Sequence, residues 1–289
     1  MIKIGLIQAS VSENAGENLA RTVKKIGEAA KKGAEIVCLQ ELFSERYFPQ
    51  YEDKKYFTLA ETIPSPTSDA LAKAAKENKI AIVGSVFEKS GGAGASAKYY
   101  NSSVVIDANG KLVGKYRKMH IPYDPRFYEK TYFSPGDLGF KVVDLGKVKI
   151  APLVCWDQWF PEAARISALN GAQIIFYPTA IGWGGADRLD EKLKKAQLEA
   201  WEIIQRSHAI ANEVFVVSVN RVGIEDDVEF WGNSFVCAPD GQLLAKGSRN
   251  KEEILIAECD LKLIDEQREG WPYFRDRRPD AYSDLTRKF

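Results

Sequence analysis

The sequence of 289 residues contains almost no histidine and little cysteine, which limits the chemistry available to it. Its two histidines, His120 and His208, are too few for a histidine-rich metal site. Four cysteines are present without metal-like clustering, and three of them lie in strand-like runs, so we expect reduced thiols rather than a disulfide framework. They are Cys38, Cys155, Cys237 and Cys259. Because histidine is scarce, acid–base catalysis would depend on carboxylate or lysine groups.

The chain also lacks an excess of charge and any long apolar run. Its 40 basic and 40 acidic residues cancel, so no net field favours nucleic acid or an anionic membrane surface. No apolar run approaches the roughly 20 residues needed to span a bilayer, and residues 1–6 lack a signal-peptide pattern. We therefore expect a cytoplasmic protein that acts on a small molecule, with neither nucleic acid nor a membrane as partner.

Helical and strand patterns alternate along the chain, which favours an α/β fold. The predicted helices are 17–32, 68–77, 161–170 and a long one near 187–211. In the first of them, apolar residues recur at helical spacing. The predicted strands are 2–9, 35–39, 79–87, 103–106, 112–116, 148–154, 173–177, 214–219, 233–237 and 253–259.

The two halves of the sequence resemble each other, which predicts a duplicated unit. Three pairs of runs are similar in the same order: 3–7 with 149–153, 33–37 with 171–175, and 78–83 with 212–217. Asn109-Gly110 and Asp240-Gly241 then mark a hairpin turn in each half. We expect one domain over residues 1–289, a four-layer α-β-β-α sandwich of two similar halves. A doubly wound single sheet is the alternative, but the chain contains neither a Gly-x-Gly-x-x-Gly nor a Walker pattern.

Cys155 ends an apolar, strand-like run, and Pro161 and Glu162 mark the start of the following helix. A thiol just ahead of a helix lies near free backbone N–H groups, which favour a thiolate and any oxyanion formed by its attack. The alternative is a small apolar residue at the end of a buried strand, since free cysteine is commonly buried.

Glu41, Lys118 and Glu129 are the other candidates for catalysis. Glu41 follows an apolar strand whose counterpart in the second half ends at Thr179, so the duplicated fold did not require this acid. Each residue taken alone would suit the protein surface. Together, a carboxylate as general base, a thiol as nucleophile and an ammonium that stabilises an oxyanion can hydrolyse an amide without histidine.

These residues and their flanking runs resemble the Glu-Lys-Cys motifs of the nitrilase, or carbon-nitrogen hydrolase, superfamily. Glu41 follows Val37-Cys38-Leu39-Gln40, and the resemblance extends over nearly the whole chain. It implies the same sandwich fold, Glu129 as a second glutamate, no cofactor and no metal, and assembly into a homodimer or larger homo-oligomer. The runs that look closest to the N-carbamoylputrescine amidase subfamily are 118–122, 128–137, 155–165, 177–182 and 275–279. That likeness implies hydrolysis of N-carbamoylputrescine to putrescine, carbon dioxide and ammonia through a carbamoyl-thioester on Cys155.

The substrate is predicted from an absence. Relatives that hydrolyse N-carbamoyl-D-amino acids carry paired arginines at the positions of Gln158 and Trp159, and these arginines are missing here. Aromatic rings and acids would instead receive a cation. The predicted substrate-binding residues are Trp156, Tyr47, Gln158, Trp159, His120, Thr179, Ala180, Trp183 and Asp187. Further candidate acids are Asp226, Asp227 and Glu229.

Other interpretations stay open. Arg188 would supply a carboxylate partner in a β-ureidopropionase or ω-amidase. A scaffold without catalysis and a thiol-dependent acyltransferase are two further classes. The tail from about residue 260 mixes aromatic and charged residues in the run 271–280, which suits a subunit interface, although it would equally lie across its own domain.

Overall fold

Fifteen strands and five α-helices form the part of the chain that the computed structural model describes, which is residues 1–91, 97–185 and 189–288. The strands are β1 (Ile2–Gln8), β2 (Ile36–Leu39), β3 (Ala81–Ser90), β4 (Lys98–Ile106), β5 (Leu112–Arg117), β6 (Val143–Asp144), β7 (Lys149–Pro152), β8 (Ile174–Pro178), β9 (Gly182–Gly184), β10 (Phe215–Val219), β11 (Val222–Glu225), β12 (Val228–Trp231), β13 (Phe235–Cys237), β14 (Leu243–Lys246) and β15 (Glu253–Cys259). The helices are α1 (Ala15–Lys31), α2 (Pro66–Asn78), α3 (Pro161–Leu169), α4 (Glu191–Asn212) and α5 (Lys262–Gly270).

Two six-stranded sheets confirm the predicted duplication. Their strand orders are β15-β1-β2-β3-β4-β5 and β14-β13-β10-β8-β7-β6. In the first sheet β1, β2 and β3 are parallel, and in the second β7, β8 and β10 are parallel. Each parallel core continues into an antiparallel hairpin, β4–β5 or β13–β14. When the order of the second sheet is reversed, β1, β2 and β3 correspond to β7, β8 and β10, and the hairpin β4–β5 corresponds to β13–β14. The two sheets therefore have the same arrangement of strands.

Alternation of side chains along the strands builds the layers. In β2, Ile36 and Cys38 pack into the core between the two sheets, whereas Val37 and Leu39 pack on the side of α1 and α2. The second sheet buries its other face against α3 and α4, as Tyr177 and its neighbours show. This arrangement confirms the four-layer α-β-β-α sandwich.

Helix starts depend on local capping. The side chain of Asn14 accepts from the Glu17 backbone N–H at the start of α1, and Ser65 and Ser68 form a capping box before α2. Asp190 accepts from the Leu193 backbone N–H at 2.7 Å, so α4 begins at Glu191. The predicted start of this helix at 187 lies outside the described residues.

Several short elements were not predicted. They are β6, β9, β11, β12, β14 and α5, and the predicted strand 148–154 ends at Pro152. The missed strands have two to four residues and lack the longer apolar run that marked the equally short β2 and β7. Both predicted hairpin turns are present, with Gly110 and Gly241 at φ values of 81° and 88°.

The C-terminal segment packs against its own domain. The ring of Phe274 lies between the guanidinium groups of Arg165 and Arg268, at 4.9 and 5.1 Å. Trp271 and Leu285 remain 59% and 68% exposed. A subunit interface on this segment therefore stays a prediction. Among the described helices, none is both long and apolar enough to cross a bilayer.

Candidate active site

The predicted catalytic side chains converge from strand ends of both sheets. Glu41 and Lys118 lie just after β2 and β5 in the first sheet, and Cys155 lies after β7 in the second. The backbone N–H of Glu41 donates to the carbonyl oxygen of Thr179, which follows β8, at 3.2 Å. The carboxyl edges of the two sheets therefore meet at this point, which brings residues far apart in sequence into one site.

A buried ion cluster forms the base of this site. The Nζ of Lys118 donates to Oε1 of Glu41 at 2.8 Å and to Oε2 of Glu129 at 2.7 Å, and all three side chains are fully buried. Tyr47 donates its hydroxyl proton to Oε1 of Glu129, and Asn101 donates its amide N–H to Oε1 of Glu41, both at 2.7 Å. Since an ammonium has three N–H donors, Lys118 keeps one for a further acceptor.

One carboxylate oxygen of this cluster has no hydrogen-bond partner within the described ranges. Glu41 Oε2 is buried and unpaired, whereas Oε1 of the same group accepts two hydrogen bonds. Leaving a buried carboxylate oxygen without a hydrogen bond costs free energy, so accepting a proton there is favourable. Since no donor among the described residues occupies the lone pairs of Oε2, they are available for that proton. This geometry suits a general base.

The thiol and its neighbours have shifted pKa values. Burial raises the pKa of Cys155 well above its ordinary value, and the charge of Glu41 raises it further; the Lys118 ammonium and the Ala180 backbone N–H oppose the shift. Burial acts to lower the pKa of Lys118, but the charges of Glu129 and Glu41 outweigh it and raise that pKa. Lys118 is therefore an ammonium, and the neutral thiol requires a base before it can attack.

Cys155 occupies a strained turn. Its φ is 38°, in the left-handed region that a residue with a Cβ rarely adopts, which costs about 1–3 kcal/mol. A short 3-10 helix, Cys155–Trp159, begins at this residue and leads into α3. Because the first backbone N–H groups of a helix have no partner within it, the turn presents donors beside the sulfur atom.

Asp157 holds the turn in place, and sequence analysis gave it no role. It is fully buried, and its Oδ2 accepts from the Val154 backbone N–H at 3.1 Å and from the Tyr116 hydroxyl at 2.8 Å. Its Oδ1 accepts from the backbone N–H and Nδ1–H of His120, at 3.1 and 2.8 Å. Asp157 thus ties the segment after Lys118 to the segment that carries Cys155.

Arg221 was missed as well, although it is fully buried beside the site. Its guanidinium donates to the carbonyl oxygens of Glu41 and Leu42 at 2.7 and 3.0 Å and forms an ion pair with Glu225 at 2.8 Å. Glu225 in turn accepts from the Tyr47 backbone N–H at 2.7 Å. Arg221 could have been predicted from the sequence, because it follows an apolar strand, β10, just as Glu41 follows β2.

A cavity of about 410 Å³ opens onto Cys155 and Glu129, within the size range of small-molecule sites. Of the predicted substrate-binding residues, Trp156, Trp159, Ala180 and Trp183 line it. The described lining contains no Lys, Arg or His side chain; its charged residues are Asp124 and Glu129. In the same described ranges, no group of three or more His, Cys, Asp or Glu side chains is arranged to hold a metal ion.

Four predicted substrate-binding residues lie outside this lining. Tyr47 donates its hydroxyl proton to Glu129 and is absent from the described lining. His120 forms a hydrogen bond with Asp157, and its ring stacks on Phe160 at a centroid distance of 3.7 Å. Gln158 accepts hydrogen bonds from Thr179 at 3.3 Å and from Trp201 at 3.0 Å. These residues thus surround the site, and His120 is outside the described lining of the cavity.

The other candidate acids line an adjoining cavity of about 710 Å³ that shares Pro125, Gly184 and Leu189 with the first. Each of these acids is already neutralised by a basic side chain, which argues against its predicted role as a cation receptor. The ion pairs are Asp226 with Arg46 at 3.1 Å, Asp227 with Arg126, and Glu229 with Lys194 at 3.2 Å and Arg249 at 2.9 Å. Asp187 and Arg188 lie outside the described residues.

Known proteins resemble this chain along its whole length. The profile of the family described as carbon-nitrogen hydrolase matches residues 3–269. A citrullinase of Francisella tularensis is 42% identical, over 100% of this chain and 99% of its own. An N-carbamoylputrescine amidase of Arabidopsis thaliana is 40% identical, over 98% of this chain and 95% of its own. The crystal structure of a carbon-nitrogen hydrolase from Helicobacter pylori has a TM-score of 0.95 at 42% identity, covering 100% of this chain and 99% of that one. The chain therefore belongs to the carbon-nitrogen hydrolase family of the nitrilase superfamily.

Proposed function

We propose that the protein hydrolyses N-carbamoylputrescine to putrescine, carbon dioxide and ammonia, with Cys155 as nucleophile. The observation that carries the proposal is the charge of the cavity at Cys155, whose described lining has two carboxylates and no basic side chain. Such a cavity favours a substrate with a cationic or neutral end over one that ends in a carboxylate. The Arabidopsis relative bears the name of this activity.

The first half of the reaction forms a covalent intermediate. Glu41 Oε2 takes the proton of the Cys155 thiol, and the thiolate attacks the ureido carbon. The resulting oxyanion is stabilised by the remaining N–H of Lys118 and by the Trp156 backbone N–H, each such donor being worth about 3 kcal/mol. When the tetrahedral intermediate collapses, Glu41 returns the proton to the leaving amine, and a carbamoyl-thioester remains on Cys155.

The second half consumes water. Glu41, again a carboxylate, accepts a proton from the water that attacks the thioester, and the same donors stabilise the second oxyanion. Collapse breaks the carbon–sulfur bond, Glu41 protonates the sulfur atom, and the released carbamic acid decomposes to carbon dioxide and ammonia. Glu129 positions Lys118 throughout, through the 2.7 Å contact between them.

Citrulline is the second candidate substrate, because the Francisella relative is named a citrullinase. Citrulline has the same ureido group on a similar chain, but its far end carries a carboxylate as well as an ammonium. Among the described residues, Lys194 and Arg249 are basic side chains beside the cavity, 5.4 and 4.5 Å from the centre of the Trp183 ring. Both are already paired with Glu229. A β-ureidopropionase or ω-amidase would also need a carboxylate partner.

A substrate panel tests this proposal. We expect kcat/KM for N-carbamoylputrescine to exceed that for citrulline by about tenfold or more. A carboxylate without a partner in this cavity should cost about 1.4 kcal/mol or more of binding free energy, and 1.4 kcal/mol corresponds to a factor of ten. N-carbamoyl-β-alanine and an ω-amide should be slower still. Ammonia release measures all four rates, with Cys155→Ala as the control for contaminating activity. A preference for citrulline or N-carbamoyl-β-alanine would overturn the proposed substrate.

The pH profile of kcat/KM is expected to show an acid limb near pH 7. Burial raises the pKa of Glu129 to about 7; the charge of Lys118 opposes the rise, the charge of Glu41 adds to it, and hydrogen bonds from Lys118 and Tyr47 oppose it. As the pH falls through about 7, Glu129 gains a proton and Lys118 loses a carboxylate acceptor, so activity falls towards acid.

Tyr47→Phe tests the assignment of that limb. The variant removes a hydrogen bond that favours the carboxylate, so the pKa of Glu129 and the acid limb should both move to higher pH. Tyr128→Phe is the control, because it removes the hydroxyl of a neighbouring tyrosine, whereas the hydroxyl that donates to Glu129 belongs to Tyr47. The acid limb should stay in place in this control. An acid limb that stays in place, or moves to lower pH, in Tyr47→Phe would show that Glu129 does not set it.

A further inference from the structure

We propose, as a step that rests on the hydrolysis proposed above, that Asp124 recognises the terminal ammonium of the substrate and so determines specificity. Two carboxylates line the cavity at Cys155. Glu129 is fully buried and engaged by Lys118 and Tyr47. Asp124 is exposed at the rim, and its carboxylate forms no ion pair or hydrogen bond with the described residues. It is therefore the available negative charge in the described lining.

The backbone holds Asp124 in a defined position. Its carbonyl oxygen accepts from the Phe127 backbone N–H at 2.8 Å, and its own N–H points back to the Phe127 carbonyl oxygen at 3.4 Å. Arg126, within this tight turn, has a φ of 70°. The next residue, Tyr128, donates its N–H to the carbonyl oxygen of Pro49 at 2.8 Å, which fixes the turn to the rest of the domain.

The basic residue nearest in sequence does not neutralise Asp124. Arg126 forms its ion pair with Asp227, on the side of the adjoining cavity. Gly184 of β9 makes this arrangement possible, because a Cβ there would come within 3.1 Å of the Arg126 side chain. The turn thus packs closely on β9, with the arginine paired in one cavity and Asp124 lining the other.

Aromatic rings complete the recognition of a cation. Phe127 and Trp159 line the same cavity as Asp124, and a ring face attracts an ammonium group. The ring of Trp183 already has Lys194 and Arg249 beside it, so it is less suited to receive a third cation. A ureide whose ureido carbon lies at Cys155 would cross the apolar section of the cavity, and its ammonium would meet Asp124 at the rim. A carboxylate at the same end would be repelled.

Asp124→Asn tests this proposal with two substrates, N-carbamoylputrescine and N-pentylurea, in which a methyl group replaces the ammonium. We expect kcat/KM for N-carbamoylputrescine to fall about tenfold or more, chiefly through KM, because a charge-assisted contact is lost. The value of kcat/KM for N-pentylurea should change by less than about twofold. The contrast between the two substrates then measures the loss of the ammonium contact alone. Inhibition by putrescine should weaken in parallel. Asp124→Glu, which keeps the charge, should recover part of the loss.

Asp226→Asn is the matched control, because it removes one negative charge from the adjoining cavity where Arg46 already neutralises it. Its kinetics should stay close to those of the wild type. Equal losses with both substrates in Asp124→Asn, or no loss with N-carbamoylputrescine, would overturn the role of Asp124 and leave the proposed function intact. A wild-type enzyme that hydrolyses N-pentylurea or citrulline but not N-carbamoylputrescine would overturn both.

Discussion

Glu41→Gln is expected to lower kcat for ureide hydrolysis by about 10³-fold or more while the protein remains folded. The amide oxygen can keep the hydrogen bonds from Lys118 and Asn101 that Oε1 now accepts. The amide nitrogen, however, replaces Oε2, the atom whose lone pair has no partner among the described residues. Without that lone pair the Cys155 thiol, whose pKa burial raises, has no base, and both halves of the reaction fail.

Steady-state ammonia release and thermal unfolding, measured on the same preparation, separate this effect from misfolding. Alkylation of Cys155 by iodoacetamide, followed by mass spectrometry, should also slow in Glu41→Gln, because it requires the thiolate. Glu45→Gln is the matched control. Burial raises the pKa of Glu45 to about 7, so this carboxyl is already partly protonated near neutral pH. Glutamine resembles that protonated form, so the control substitution should disturb the protein little. More than a tenth of wild-type kcat in Glu41→Gln would exclude Glu41 as the general base.

The positions of Glu41 and Cys155 could be predicted from the sequence because each follows an uninterrupted apolar run, although the strands in those runs, β2 and β7, have only four residues. Lys118 follows the predicted strand 112–116, and the resemblance between the halves indicated that the strands before Glu41 and Cys155 belong to two similar sheets. The contacts of Lys118 with Glu41 and Glu129 depend on how the sheets pack, and only the structure provides those distances.

The walls of the cavity could not be predicted in the same way. Trp183 lies on β9 and Glu229 on β12, strands of three and four residues whose pairing is visible only in three dimensions. The sequence showed Glu229 as one acid among several, whereas its pairing with Lys194 and Arg249 is a tertiary contact. Asp124 was missed because it lies in an irregular segment between two prolines, where no periodic pattern places a side chain.

Lys118→Met is expected to lower the free energy of unfolding by about 3–5 kcal/mol at pH 8, as well as abolishing activity. The substitution leaves the carboxylates of Glu41 and Glu129 buried side by side without the ammonium that now bonds to both. Two like charges in a dry site disfavour each other's ionisation. In the wild type the charge and the hydrogen bond of Lys118 lower the pKa of Glu129, so without Lys118 that pKa lies above about 7. The loss should therefore shrink as the pH falls from 8 towards 7 and Glu129 takes up a proton.

Combining Lys118→Met with Glu129→Gln separates the structural role of the lysine from its catalytic one. The double variant removes one buried negative charge together with the positive one, so most of the stability should return. Activity should not return, because the remaining N–H donor of Lys118 is absent and the oxyanion loses about 3 kcal/mol of stabilisation. Urea unfolding at pH 6 and pH 8 gives the stabilities, and ammonia release gives the rates. A single Lys118→Met variant as stable as the wild type at pH 8 would mean that its two carboxylates are neutral there, whereas a double variant with restored activity would show that Lys118 acts only by balancing their charge.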